Sequence, residues 1–272
     1  MPMSLLLIVA ATQGLTEFLP ISSSGHLALI PVALSYEYQG KIIDVAAHVG
    51  TLLAVTYYMR KEVVAISLAL VSLNNADTEK AKLGLLLIVA TLPVIGVGYF
   101  VNYANFFWMD LVLCLALVNI FFALILWIAD KTPALNSKIE TMRFGHATVI
   151  GLAQIFALLP GASRSGVTIS AARFLGYDRV SATRFSLLLS LPVIAGAGIL
   201  KTRDLFIADE IELGIDAILV VVFSAFFAWI AIHWMIKWVE KVDFKIFVYY
   251  RIILGVFLLL AVGYDYIEPT YR

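Results

Sequence analysis

Charge is scarce in this 272-residue chain: 14% of its residues are Asp, Glu, Lys or Arg, about half the share of a soluble domain. Acidic and basic residues balance at 19 each, so no basic excess is available to meet a phosphate backbone, and nucleic acid is excluded as a partner. Cysteine is almost absent. Cys114 alone can form neither an intrachain disulfide nor a thiolate metal cluster. Hydrocarbon fills the space instead: 62% of the residues are hydrophobic and the mean hydropathy is +0.95. A chain of that composition belongs in a membrane. Its first residues, MPMSLLLIVAATQGL, have no basic stretch ahead of the apolar run and lead into a polar cluster rather than a cleavage site, so they are expected to be mature protein and not a signal peptide.

Six apolar stretches approach the ~20 residues that a helix needs to cross a bilayer, at 42–59, 83–103, 108–129, 180–200, 213–236 and 247–267. Two further apolar regions are broken, 3–18 by Pro20 before 23–36, and 144–159 by Pro160-Gly161 before 164–177. Each arm, at about 13 to 16 residues and 1.5 Å per residue, is too short to cross a ~30 Å hydrocarbon core, so both regions are expected to be re-entrant helical hairpins. Shifting the chain by 141 residues brings Gln13 onto Gln154, Ser22 onto Ser163, Ser24 onto Ser165 and Gly25 onto Gly166. Each half is then one hairpin followed by three spans, and an odd number of spans inverts the second half. The expected fold is an all-α integral membrane protein, a single membrane domain over 1–272, with six transmembrane helices and two re-entrant helical hairpins in an inverted-topology repeat, about 1–130 and 142–268.

Lys and Arg gather on the cytoplasmic side of membrane proteins. With the first hairpin opening outward, eleven fall inside, among them Arg60, Lys80, Lys82, Lys138, Lys237 and Arg251, against four outside, Lys41, Lys201, Arg203 and Arg272. Eight full spans would place the termini on the same side; arm length and the internal repeat decide for hairpins.

The breaks carry the chemistry. Irregular backbone at membrane depth is tolerated only where protein buries it or a cavity is lined by it. After each break comes a serine-rich helix start, Ser22-Ser23-Ser24-Gly25-His26 and Ser163-Arg164-Ser165-Gly166. Serine is a favoured N-cap, and a helix N-terminus offers N–H donors to an anion. Arg164 suits phosphate oxygens, with a structural ion pair to Glu17 as the plainer alternative. Glu17 beside a phosphate requires protonation or a bridging cation such as Mg²⁺. His26 stands three and four residues after Ser23 and Ser22, a spacing that can bring its ring to either hydroxyl and activate a serine nucleophile. Asp44, His48 and Thr51 form a polar stripe in one span, and Ser181 and Arg184 a similar one in the matching span, where Arg184 either assists phosphate or pairs with Asp178. Segment 72–82 is expected to be a solvated loop.

QGLTEFLPISSSGH (13–26) and LPGASRSGVTIS (159–170) closely resemble the two signature segments of the bacterial undecaprenyl-diphosphate phosphatases, the bacitracin-resistance protein family. The resemblance extends over essentially the whole chain, including HVGTLLAV (48–55) and RFSLLLSLP (184–192). It implies a multi-pass enzyme of the bacterial inner membrane that removes the terminal phosphate of undecaprenyl diphosphate, recycles the lipid carrier for peptidoglycan, confers bacitracin resistance on overproduction, requires a divalent cation (Mg²⁺ or Ca²⁺) and faces the periplasm or outside. The partner it implies is a polyprenyl diphosphate lipid; a homodimer is one assembly open to the chain.

By resemblance, the catalytic set is Glu17, Ser23, His26 and Arg164, with Glu17 also the metal ligand. Ser22, Ser24, Ser163, Ser165 and Thr168 fall in the phosphate-binding segments, and Gln13, His48 and Arg184 are supporting positions. Gln13 stands where some members carry a second acidic residue, which leaves Glu17 as the only acidic ligand in the motif. Attack by Ser22, Ser23, His26 or water remains open from sequence, and a transporter or flippase of a lipid phosphate or anion is the alternative function on such a scaffold.

Overall fold

The computed structural model describes residues 1–34, 38–71, 78–104, 106–135, 138–207 and 214–264. Eleven α-helices follow one another among the described residues: α1 Met3–Thr16, α2 Ser23–Leu34, α3 Lys41–Tyr58, α4 Arg60–Val71, α5 Thr78–Ala104, α6 Val112–Lys131, α7 Phe144–Gln154, α8 Arg164–Phe174, α9 Arg179–Ile207, α10 Ile215–Val239 and α11 Lys245–Gly263. Five of them, α5, α6, α9, α10 and α11, are long and apolar enough to cross a membrane, and a sixth span results if the bent pair α3–α4 counts as one. Large apolar side chains such as Phe100, Phe107, Ile199 and Ile253 point outward, as lipid rather than water requires.

Four short helices, α1, α2, α7 and α8, lie where the sequence breaks. Proline has no N–H to continue a helix and disfavours helical backbone in the residue before it; α1 accordingly stops at Thr16 ahead of Pro20, and α7 gives way to a 3₁₀ turn over Ile155–Leu158 ahead of Pro160. One expectation needs correction. Residues 78–82 begin α5 rather than closing a loop, while 72–77 lie outside the described residues. The stretch after the 42–59 span is also helical: α4 turns 82° from α3 across Met59. Its sequence RKEVVAISLALV opens on three charged residues and continues apolar, so it reads as a loop followed by too little hydrophobic sequence to span.

The two halves of the chain interlock rather than fold separately. α1 packs on α10 of the second half and α7 on α5 of the first; α3 packs on α10 and α9 on α5; α3 meets α9, and α6 meets α11. Exchanging the halves reproduces each of these pairings. Helices in lipid associate through close backbone approach, because lipid tails remove the hydrophobic drive between them. A Cβ on Gly14 would stand 2.7 Å from the Ser224 carbonyl oxygen of α10, and one on Gly151 2.6 Å from the Ala90 carbonyl oxygen of α5. At one end Asp130 gathers four elements. Its carboxylate accepts from Arg179 Nε at 2.6 Å and Nη2 at 3.1 Å and from the Phe244 N–H at 3.0 Å, while its backbone carbonyl accepts from Arg173.

Gly151→Val is expected to lower the unfolding temperature in detergent, because the displaced atoms are backbone of α5; overpacking of this kind costs about 1–3 kcal/mol. Gly145→Ala, where an added Cβ meets nothing within 4 Å, is expected to leave it unchanged.

Candidate active site

The two breaks adopt the same local geometry. Ser22 and Ser163 have φ of +71° and +70°, a left-handed conformation that costs a non-glycine residue about 1–3 kcal/mol. In return each serine folds back over the helix that follows. Ser163 Oγ accepts the Gly166 N–H at 3.2 Å and lies 3.2 Å from Ser165 Oγ; Ser22 Oγ accepts the Gly25 N–H at 3.4 Å and lies 3.4 Å from Ser24 Oγ. Glycine at both third positions leaves room for the cap: a Cβ would crowd the capping hydroxyl at 3.3 Å in each, and on Gly166 would also stand 3.0 Å from Arg251 Nη1.

Between the breaks lies a buried ionic cluster. Glu17, at the end of α1, is 8% exposed. Its Oε1 accepts from Arg164 Nη2 at 2.8 Å, and its Oε2 accepts from Ser23 Oγ at 2.6 Å and from Gln13 Nε2 at 3.0 Å. Arg164 also donates to the Ser186 carbonyl at 3.2 Å. The breaks are tied directly as well, because Ser165 Oγ of the second donates to the Leu19 carbonyl of the first at 2.8 Å. Residues 147 positions apart in sequence, Glu17 and Arg164, therefore share one site with Ser23 and Gln13.

Other expected residues are placed differently. His26 touches no serine hydroxyl: Nδ1 lies 2.7 Å from the Ser22 carbonyl oxygen and Nε2 2.5 Å from the Tyr250 hydroxyl. The expected Ser–His contact fails because Ser22 turns its hydroxyl back to cap α2 and Ser23 turns to Glu17. Ser163, Ser165 and Thr168 are buried, and Thr168 Oγ1 is committed to the Arg164 carbonyl at 2.9 Å and Ser186 Oγ at 2.8 Å, so these hydroxyls build the second break. Arg184 is not brought to the site; it pairs with Glu62 of α4 at 2.8 Å rather than with Asp178. Ser24 and His48, with Gln39, Asp44, Leu159 and Pro160, line a cavity of about 420 Å³ beside the breaks. His48 Nδ1 is held on the Asp44 carbonyl at 2.7 Å.

Arg251 is the residue that sequence reasoning misplaced. It was counted among the inward loop charges, yet it sits within α11 with 0% exposure. Its guanidinium donates to the Pro20 carbonyl at 3.3 Å, to the Gly161 and Ala162 carbonyls at 2.9 and 3.0 Å, and to Asn119 Oδ1 at 2.8 Å. One side chain thus satisfies backbone oxygens of both breaks. The charge count loses Arg251 and stays one-sided, while Arg272 lies outside the described residues. The missed signal was an arginine well inside an apolar helix, YYRIILG, which lipid does not tolerate without buried partners.

Among the described residues no group of three or more His, Cys, Asp and Glu could cage a metal ion. A smaller donor set is present. The Glu17 carboxylate, with three of its roughly four lone-pair sites engaged, retains one, and the buried Gln13 Oε1 beside it has no hydrogen-bond partner among the described residues. One carboxylate and one amide oxygen, completed by water and phosphate oxygens, suit Mg²⁺ or Ca²⁺.

A model of the family described as bacitracin resistance protein BacA matches residues 6–257. The chain belongs to that family. Its relatives include proteins named undecaprenyl-diphosphatase from Maricaulis maris, 43% identical over 266 residues (94% of this chain, 97% of the relative), and from Alcanivorax borkumensis, 43% identical over 258 residues (93% and 96%). A protein of that name from Desulforudis audaxviator is 38% identical over 249 residues (92% and 94%).

Arg251→Met is expected to lower both the unfolding temperature and any activity of the BacA-family fold, because each carbonyl left unsatisfied costs about 1–3 kcal/mol. Arg251→Lys is expected to restore only part of the loss, since an ammonium cannot fork to both breaks; differential scanning fluorimetry in detergent measures both.

Proposed function

We propose that this protein is an undecaprenyl-diphosphatase, which hydrolyses undecaprenyl diphosphate to undecaprenyl phosphate and inorganic phosphate and so recycles the lipid carrier of cell-wall synthesis. The observation that carries the chemistry is the Ser23 hydroxyl donating to a Glu17 carboxylate that is also paired with Arg164. A serine aimed at a carboxylate is an activated nucleophile, and an arginine beside it is a phosphate ligand.

The diphosphate enters beside the breaks. Arg164 exchanges its bond to Glu17 for the terminal phosphate oxygens, and the released carboxylate accepts the Ser23 proton as Oγ attacks phosphorus in line. The P–O bond to the inner phosphate breaks, Glu17 passes the proton to the departing phosphate oxygen, and undecaprenyl phosphate leaves. Water, deprotonated by the carboxylate so regenerated, then hydrolyses the phosphoserine; Glu17 returns that proton to Ser23 Oγ as inorganic phosphate is released. Of the two bases that the sequence allows, the geometry favours Glu17, since Ser23 contacts it and His26 is turned to Tyr250. Glu17 and Gln13 would hold a divalent cation, which when bound supplies positive charge to the phosphate oxygens.

Phosphoryl transfer is mostly positioning and charge neutralisation. Arg164, whose guanidinium has five N–H donors, is placed for it at 12% exposure. Ser22 and Ser163, which hold the two helix starts, fix the backbone around the substrate rather than touching it.

The reading includes the inverted-topology repeat with two re-entrant hairpins and six spans. It is supported by the matched φ values at Ser22 and Ser163, by the duplicated capping bonds and by two exchanged pairings, α1 on α10 with α7 on α5 and α3 on α10 with α9 on α5. The inward majority of Lys and Arg supports a cavity of Ser24 and His48 that opens on the opposite side, the periplasmic or outer face of the inner membrane, with Lys201, one of the few outward basic residues, in its lining. The same two-fold arrangement is a transporter's, so movement of a lipid phosphate is the second reading.

Purified protein in detergent, where no vectorial transport occurs, is expected to release phosphate from undecaprenyl diphosphate. Ser23→Ala is expected to lower kcat by about a thousandfold or more, and Glu17→Gln to do the same. Absence of release together with lipid flux in liposomes would favour the transporter. Chelation is expected to abolish the rate and added Mg²⁺ or Ca²⁺ to restore it; a rate indifferent to chelators removes the cation from the account.

A further inference from the structure

His26 is held at both ring nitrogens. Nδ1 lies 2.7 Å from the Ser22 carbonyl oxygen, an atom that can only accept, so the proton sits on Nδ1 and Nε2 of the neutral ring is an acceptor. The Tyr250 hydroxyl, 2.5 Å away, therefore donates to Nε2. The two rings lie nearly parallel, with centroids 5.6 Å apart and planes 8° from parallel, so the hydroxyl meets the imidazole edge to edge.

Tyr250 is not free to drift. The next residue in α11 is Arg251, whose side chain is bonded to carbonyls of both breaks, so the helix is pinned at this step. Tyr250 itself is 42% exposed. An aromatic that only met lipid would have no reason to direct its hydroxyl onto the imidazole of a break. A phenol both donates and accepts, so the bond also survives protonation of the ring, with Nε2–H then donating to the tyrosine oxygen.

We propose that Tyr250 is a positioning residue of the active site, whose hydroxyl holds the His26 imidazole in one tautomer and one orientation, in either charge state, and so fixes the start of the helix that carries Ser23. The inference rests on the reading of His26 as part of a phosphatase site. It explains why His26 stands off from Ser22 and Ser23, and it adds to the site a residue 224 positions away in sequence.

The test compares Tyr250→Phe with the unaltered protein in detergent. Phenylalanine keeps the ring and removes one oxygen, so the unfolding temperature is expected to hold. The kcat for phosphate release is expected to fall about tenfold, the size of effect that loss of one positioning hydrogen bond has, with KM unchanged. His26 is expected to react severalfold faster with diethyl pyrocarbonate, read by peptide mass spectrometry against His48 as internal reference, because Nε2 loses its cover. An unaltered kcat, or a fall in kcat with the His26 modification rate unchanged, overturns the inference. Unimpaired turnover in His26→Ala would instead overturn the place of His26 in the site, and the modification rate in Tyr250→Phe is read independently of turnover.

Discussion

A helix interrupted at membrane depth leaves carbonyl oxygens that lipid cannot solvate, and every feature of this active site depends on how those oxygens are satisfied. Arg251 does most of it, donating to Pro20 in one break and to Gly161 and Ala162 in the other. A neutral donor could serve one carbonyl; the guanidinium fork reaches several, and in doing so it brings the two breaks to a common point. Asn119 completes the arrangement by accepting from Arg251 Nε and donating to its backbone carbonyl. Polar groups in a low-dielectric interior are worth most when all are paired, and that condition is what allows helix starts, rather than helix middles, to stand inside a membrane protein.

Once the breaks are joined, charge can be placed between them. Glu17 and Arg164 come from different halves of the chain and meet at 2.8 Å. A buried pair of this kind contributes little net stability, because desolvation offsets the attraction. In the proposed reaction its use is chemical: each member is left poorly satisfied when the other is drawn away, so an arriving phosphate that takes Arg164 would also free a carboxylate beside Ser23. Binding and activation are thus one event, a coupling that a serine activated by a distant base would lack.

Much of this was legible in the sequence, and for a physical reason. Glu17, Ser23 and Arg164 stand out because polar residues in an apolar chain must have partners, and the shared shift of 141 residues named which break would supply them. Helical spacing misjudged His26 because it treats the first turn as regular, whereas the positive φ of Ser22 redirects the hydroxyls. Tyr250 and Arg251 were missed for another reason: a tyrosine pair and an arginine near one end of an apolar span look like interface anchors, and only the packing of α11 on α6 carries Tyr250 and Arg251 to the breaks. α4 was missed because three charges at its start look like a cytoplasmic loop.

The central claim is that Ser23 takes the phosphoryl group before water does. Undecaprenyl diphosphate made chiral at its terminal phosphorus with sulfur and ¹⁸O, and hydrolysed in ¹⁷O-water, records the number of displacements in the configuration of the thiophosphate released. Two in-line displacements, at Ser23 and then by water, predict retention. Inversion would mean a single direct attack by water and would contradict the account.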